Sequence, residues 1–139
     1  MRLAITAAIF LVGMFDFFMA ISFLTAPQQT AAGLGVAPLT LGGASMVTAG
    51  LSTIRGDFTS FFGVAGFCMM WGAWRRNADL LLVPAMLFGV TFAGRALNLA
   101  LIGPYEVWSF PMAVEAGHVV LALIAWRVLP HHRIEEIAA

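Results

Sequence analysis

Seven polar residues of chemical interest stand inside stretches that are predominantly apolar: Asp16, Arg55, Asp57, Arg95, Asn98, Glu115 and His118. Their types suit acid–base and ion-pair chemistry. Glu115, Asp57 and Asp16 are candidate acids, because a carboxyl held protonated by an apolar site can give up and recover a proton near neutral pH. Arg95 and Arg55 are permanent cations whose planar fork can hold a carboxylate in two hydrogen bonds. Asn98 falls one turn beyond Arg95 on the same helical face, and Glu115 and His118, three apart, also share a face. Arg95, Arg55, Asn98 and His118 are therefore the candidate ligand-binding residues.

More specialised chemistry lacks its full residue set. Glu115-x-x-His118 matches half of a di-iron bundle motif, which needs a second copy and two further glutamates. No second histidine lies within an apolar span to share a haem with His118, and His131-His132 reads as part of a polar tail. Cys68, the single cysteine, excludes an internal disulfide and a cysteine-cluster metal site, and reads as a small buried apolar residue. No metal and no cofactor is expected.

A membrane is the setting that would hold such groups. Of the 139 residues, 61% are hydrophobic and 10% charged, against about 25% charged in soluble domains, and the mean hydropathy is +0.94. An all-α integral membrane protein is expected. The net charge is zero, so no basic field points to nucleic acid. No repeat and no second domain is visible, and residues 1–139 read as one transmembrane domain.

Four apolar stretches approach the ~20 residues that a helix needs to cross the hydrocarbon. They run from about Leu3 to Leu24, from about Thr48 to Trp74, from Asp79 to Leu101, and from Val107 to Leu129. The start of the second is ambiguous anywhere from Ala44 to Phe58. The first is longer than the ~7–15 apolar residues of a secretory signal and contains Asp16, so it reads as a retained span. Asp79 is the expected cap of the third. Pro84 and Pro111 fall in first turns, where proline costs little. The long connection TAPQQTAAGLGVAPLTLGG would lie on the membrane surface or fold back as a lid. GGASMVTAG, Gly63 with Gly66, and Gly89 with Ala93 and Gly94 would let helices approach closely.

Arg2, Arg75, Arg76, Arg127 and Arg133 all fall on one side of a four-crossing arrangement. The positive-inside rule then places both termini in the cytoplasm. Trp71, Trp74 and Trp126 would mark the inner interface, and Tyr105 and Trp108 the outer one. In this frame every span offers an ionisable group at mid-depth or in the outer half. A lone charge at a helix centre costs about 2.5–3.5 kcal/mol even on the lenient insertion scale, so the groups are expected to face inward and answer one another. Glu115 and Asp57 are the expected partners of Arg95. Asp16, Asp57 and Glu115 against Arg55 and Arg95 leave one negative charge, to be met by a protonated carboxyl, a charged His118 or a bound cation. A purely structural network would show the same imbalance.

The order IRGDFTSFFGVAGFCMMWGAWRR, LFGVTFAGRALNLALIG and FPMAVEAGHVVLAL resembles a family of small bacterial four-span membrane proteins of unknown function, DoxX-like in general architecture. The matching positions are Arg55, Gly63, Gly94, Arg95 and Glu115, over roughly residues 50 to 128. Asp57 departs from the family's pattern. The resemblance implies a four-helix bundle in a bacterial inner membrane and no particular chemistry.

Three functions fit these residues. The chain could bind an amphipathic or hydrophobic molecule (a membrane lipid, quinone or isoprenoid-like compound) at an Arg/carboxylate cluster, or serve as an accessory subunit of a larger membrane complex or homo-oligomer. It could be a small proton-coupled transporter. It could be a cofactor-free acid–base enzyme, of isomerase or epoxide-opening type, acting on a lipid-soluble substrate.

Overall fold

The computed structural model describes residues 2–36 and 44–131, which are helical with no strand among them. Helix α1 spans Arg2–Thr25 and stops where Pro27 withdraws its N–H. The proline instead opens the short helix α2, Pro27–Gly33, in a first-turn position where no hydrogen bond is lost. Helix α3 runs unbroken for 32 residues, Ala44–Arg75. Arg76 then takes a left-handed conformation, φ 52°, and Asn77 starts a 3₁₀ turn, Ala78–Leu81, which leads into α4, Leu82–Ile102. Gly103, at φ 99°, ends α4. Helix α5 spans Ser109–Val128 and stops short of Pro130.

Three segments are long and apolar enough to cross a membrane: Arg2–Thr25, Ala78–Ile102 and Ser109–Val128. The expected second span lies on α3, which is long enough but carries Ser52, Thr53, Arg55, Asp57, Thr59 and Ser60 in its first half. The cap of the third span is Asn77 rather than Asp79. A 3₁₀ turn precedes α4, so the capping position moves back two residues, and Asn77 Oδ1 accepts from the Asp79 N–H at 3.1 Å. The Asp79 carboxylate meets His131 Nδ1 at 2.9 Å.

Buried positions on α1 recur as Ile9, Gly13, Asp16, Ala20 and Phe23, a 3–4 spacing that makes one stripe. This stripe lies along α3, and α4 lies along α5. At Gly13 and Gly66 the α1 and α3 backbones touch. A Cβ on Gly66 would stand 2.6 Å from the Gly13 carbonyl oxygen and the Phe17 nitrogen. Gly63 makes only ordinary contact, 3.5 Å to Ala20. Gly89 is similar, and Gly94 is exposed with nothing within 4 Å of a Cβ. Gly94 admits no neighbour because it sits about 100° around the helix from Arg95.

At one end Ile9, Met69, Ala73, Ala78, Leu81, Ala125 and Leu129 form a buried cluster, and the Ala78 N–H donates to the Pro130 carbonyl at 3.0 Å. Arg2, Arg76, Leu129 and Pro130 line a groove there, which brings the start of α1 and the ends of α3 and α5 together. Toward the other end the core is aromatic: Phe23, Phe58 and Phe62 pack together, and Phe61 and Phe62 both meet Phe88. Part of the long connection folds back as α2, with Pro27 and Ala31 buried and Thr30 Oγ1 within 3.1 Å of the Ser22 carbonyl. The rest of it, 37–43, and the tail 132–139, which includes Arg133, lie outside the described residues. Outward faces carry many large apolar side chains, among them Leu11, Phe18, Met86, Val90, Leu101 and Phe110, well beyond the scattered apolar residues of an ordinary soluble surface.

The glycine contacts separate two substitutions. Gly66→Ala is expected to cost about 1–3 kcal/mol through overpacking at the backbone contact. Gly94→Ala should be neutral or slightly stabilising, since alanine is the better helix former. Thermal unfolding of the two variants in detergent measures the difference, and equal midpoints would contradict the α1–α3 contact.

Candidate functional site

The inward stripe of α5 reads Glu115, His118, Ala122 and Ala125, spaced three, four and three. Small alanines let α5 come close, and the two polar residues occupy positions where a larger apolar side chain would ordinarily pack. Asp16 holds the equivalent place on α1, one turn past Gly13. The three are the buried polar or charged residues among those described, with Asp16 1% and Glu115 5% exposed.

His118 joins α1 to α5. Its Nδ1 lies 2.8 Å from the Val114 carbonyl oxygen. A carbonyl only accepts, so Nδ1 carries the hydrogen and Nε2 is the atom turned to Asp16 Oδ1, 3.4 Å away. That separation is too long for a good hydrogen bond, and neither Asp16 oxygen nor His118 Nε2 has a hydrogen-bond partner. The Phe88 ring stacks on the imidazole at 4.0 Å between centroids, extending the aromatic core to the site.

Arg95 joins α4 to α5. Its Nε donates to Glu115 Oε1 at 2.6 Å, and Nη1 donates to the Tyr105 hydroxyl at 3.3 Å. The expected two-pronged grip on one carboxylate is thus replaced by one bond to Glu115 and one to Tyr105, and Glu115 Oε2 is buried without a partner. The Arg95 side chain remains 37% exposed. Polar contacts therefore run from α1 through α5 to α4 and the turn beyond it.

The other sequence candidates fall elsewhere. Arg55 and Asp57 are exposed and join neither pair. At 1.5 Å per residue α3 is roughly 48 Å long. Next to Asp57, Phe58 packs on Phe23 of α1 and Thr59 Oγ1 donates to the Ala20 carbonyl, so Asp57 is turned to another face of α3. Asp57 lines an open groove of about 380 Å³ with Ser60, Phe61, Val64 and, across it, Leu87 of α4. Asn98 is half-buried and takes no part in the described hydrogen bonds. Tyr105, read from sequence only as an interface marker, is a partner of Arg95. The signal for it was the IGPYE turn, which reverses the chain soon after Arg95. No three His, Cys, Asp or Glu side chains among the described residues are placed to hold a metal ion.

This arrangement can do two things. It can hold a proton on either Asp16 or His118, which face each other, and it can present part of a guanidinium, held from behind by Glu115, at an exposed position. Removing Arg95 strands the buried Glu115 carboxylate. A stranded partner costs about 3–5 kcal/mol in a fully buried pair, and less is expected here because the guanidinium is partly exposed. Arg95→Met should therefore destabilise strongly, the double variant Arg95→Met/Glu115→Gln should recover much of the loss, and Tyr105→Phe should cost under about 1 kcal/mol. Melting of the three variants in detergent tests this, and full additivity in the double variant would contradict the ion pair. No family model, curated protein or solved structure matches this chain.

Proposed function

We propose that this chain is a multi-pass protein of the bacterial inner membrane that binds the polar head of an amphipathic or hydrophobic molecule at Arg95, either on its own or as an accessory subunit of a larger membrane complex. The observation that carries this reading is the state of the Arg95 guanidinium. It is 37% exposed, with Nε committed to Glu115 and Nη1 to Tyr105, and Nη2 has no partner among the described residues. A group anchored on one side and open on the other is suited to a carboxylate, phosphate or similar head. Exposed Leu97, Leu101, Ile102 and Phe110 on the same two helices offer apolar surface for its tail.

In this reading α3 is the fourth crossing of a four-helix bundle. The contact of α3 with α1 and the exposed Trp71 and Trp74 near its C-terminal end support that. Arg2 and Arg76 share one groove, and Arg75 and Arg127 close their helices in the last turn; under the positive-inside rule this supports cytoplasmic termini. A green fluorescent reporter fused at the C-terminus should fluoresce and an alkaline phosphatase fusion should be inactive. The opposite pattern would reverse the topology.

The ligand is tested by mass spectrometry of protein purified in mild detergent. Wild-type protein should carry a bound amphiphile, Arg95→Gln should lose at least about tenfold of it, as expected for loss of a charged hydrogen bond, and Arg55→Gln should retain it. If wild-type protein carries none and takes up none from added lipid, the binding reading fails.

A further inference from the structure

The resting charge of the buried site closes only with a proton. Arg95 and Glu115 cancel. Asp16, 1% exposed and without a hydrogen bond, faces Nε2 of a histidine whose Nδ1–H is committed to Val114. Without another proton, a carboxylate would oppose a nitrogen lone pair beside the Phe88 ring, and the site would keep an uncompensated charge in a dry interior. One proton on either Nε2 or Asp16 removes both problems.

An anionic head group arriving at Arg95 upsets this balance. One guanidinium then faces two anions, the head group and Glu115. Glu115 cannot turn to water, being 5% exposed, and its Oε2 has no other donor. Among the described residues, the charged and titratable groups around it offer no second cation. His118, one turn along α5, turns Nε2 toward Asp16 of α1 at 3.4 Å, so a proton held there answers Asp16 and not Glu115. Arg95 of α4 is already engaged, and the Tyr105 hydroxyl in the following turn accepts from Arg95. On α3, Arg55 and Asp57 are exposed and Cys68 is buried and uncharged as a thiol.

We propose that Glu115 is a proton-exchange group, so that an anionic amphiphile binds at Arg95 together with one proton. The proton comes from water and settles on the Glu115–His118–Asp16 set, and the anion takes over the guanidinium that Glu115 held. The site therefore loads an electroneutral pair, the step that a proton-coupled carrier of amphipathic anions requires. This rests on the reading that Arg95 is the ligand site.

The experiment uses the full chain in neutral detergent micelles and decanesulfonate, whose head group stays ionised at every pH used. Calorimetric titration in two buffers of different ionisation enthalpy counts the protons taken up. Wild-type protein should take up about one proton per probe, with affinity falling about tenfold per pH unit as pH rises, the slope of one linked proton. Glu115→Gln should bind the probe with no proton uptake and a flat pH profile, because the amide already stands for the protonated acid. Wild-type binding without proton uptake would overturn the proposal and leave the Arg95 reading intact. Absence of binding in both wild type and Glu115→Gln would overturn both. The wild-type count decides the matter by itself if the variant does not fold.

Discussion

Asp16 and Glu115 are carboxylates set into the packing stripes of two different helices, and the rest of the site is arranged around what that placement costs. Stripping water from an ionised carboxylate costs several kcal/mol even after the surroundings relax, whereas an ordinary hydrogen bond returns only about 1 kcal/mol net. No number of neutral contacts of that size would make either residue harmless. Glu115 is met by a full cation, Arg95, and Asp16 by an imidazole that can hold a proton. Because the answering groups sit on other helices, satisfying the charges also ties α1 to α5 and α5 to α4.

That tie needs accurate placement, and the small residues supply it. Gly13 and Gly66 bring α1 and α3 into backbone contact, and Gly13 is one turn from Asp16 on the same stripe. Close contact of this kind tolerates little sliding, so the height of Asp16 is set by van der Waals packing and not by its own polar contacts. On α5 below His118, Ala122 and Ala125 are fully buried. The aromatic side chains fill the wider space above, from Phe23 through Phe62 to Phe88, and end on the face of the imidazole.

The two ends of the molecule differ accordingly. One is closed by an aliphatic cluster and by the 3₁₀ turn, which hydrogen-bonds to Pro130, two residues beyond α5. The other contains Arg95, partly open, with its tether to Tyr105 in the turn between α4 and α5. Stability and accessibility are thus separated along the helix axes, which lets a charged group stay reachable without loosening the core.

Residue type and spacing alone were enough for several features. Long apolar runs and proline positions located the helices, because intrinsic preference and hydrophobic length act locally. The cost of intrahelical charge drew attention to Asp16, Arg95, Glu115 and His118 together with Arg55, Asp57 and Asn98, and Glu115 was one of two partners expected for Arg95. Only the tertiary structure decided which inward groups meet. It set Arg55 and Asp57 outside, paired Asp16 with His118, recruited Tyr105, moved the cap to Asn77 and put the tight helix contact at Gly13 and Gly66 rather than at Gly94. A helix's own sequence specifies which face a side chain occupies. Whether two side chains touch depends on the axial offset and rotation between helices, and contacts among residues far apart in the chain set those.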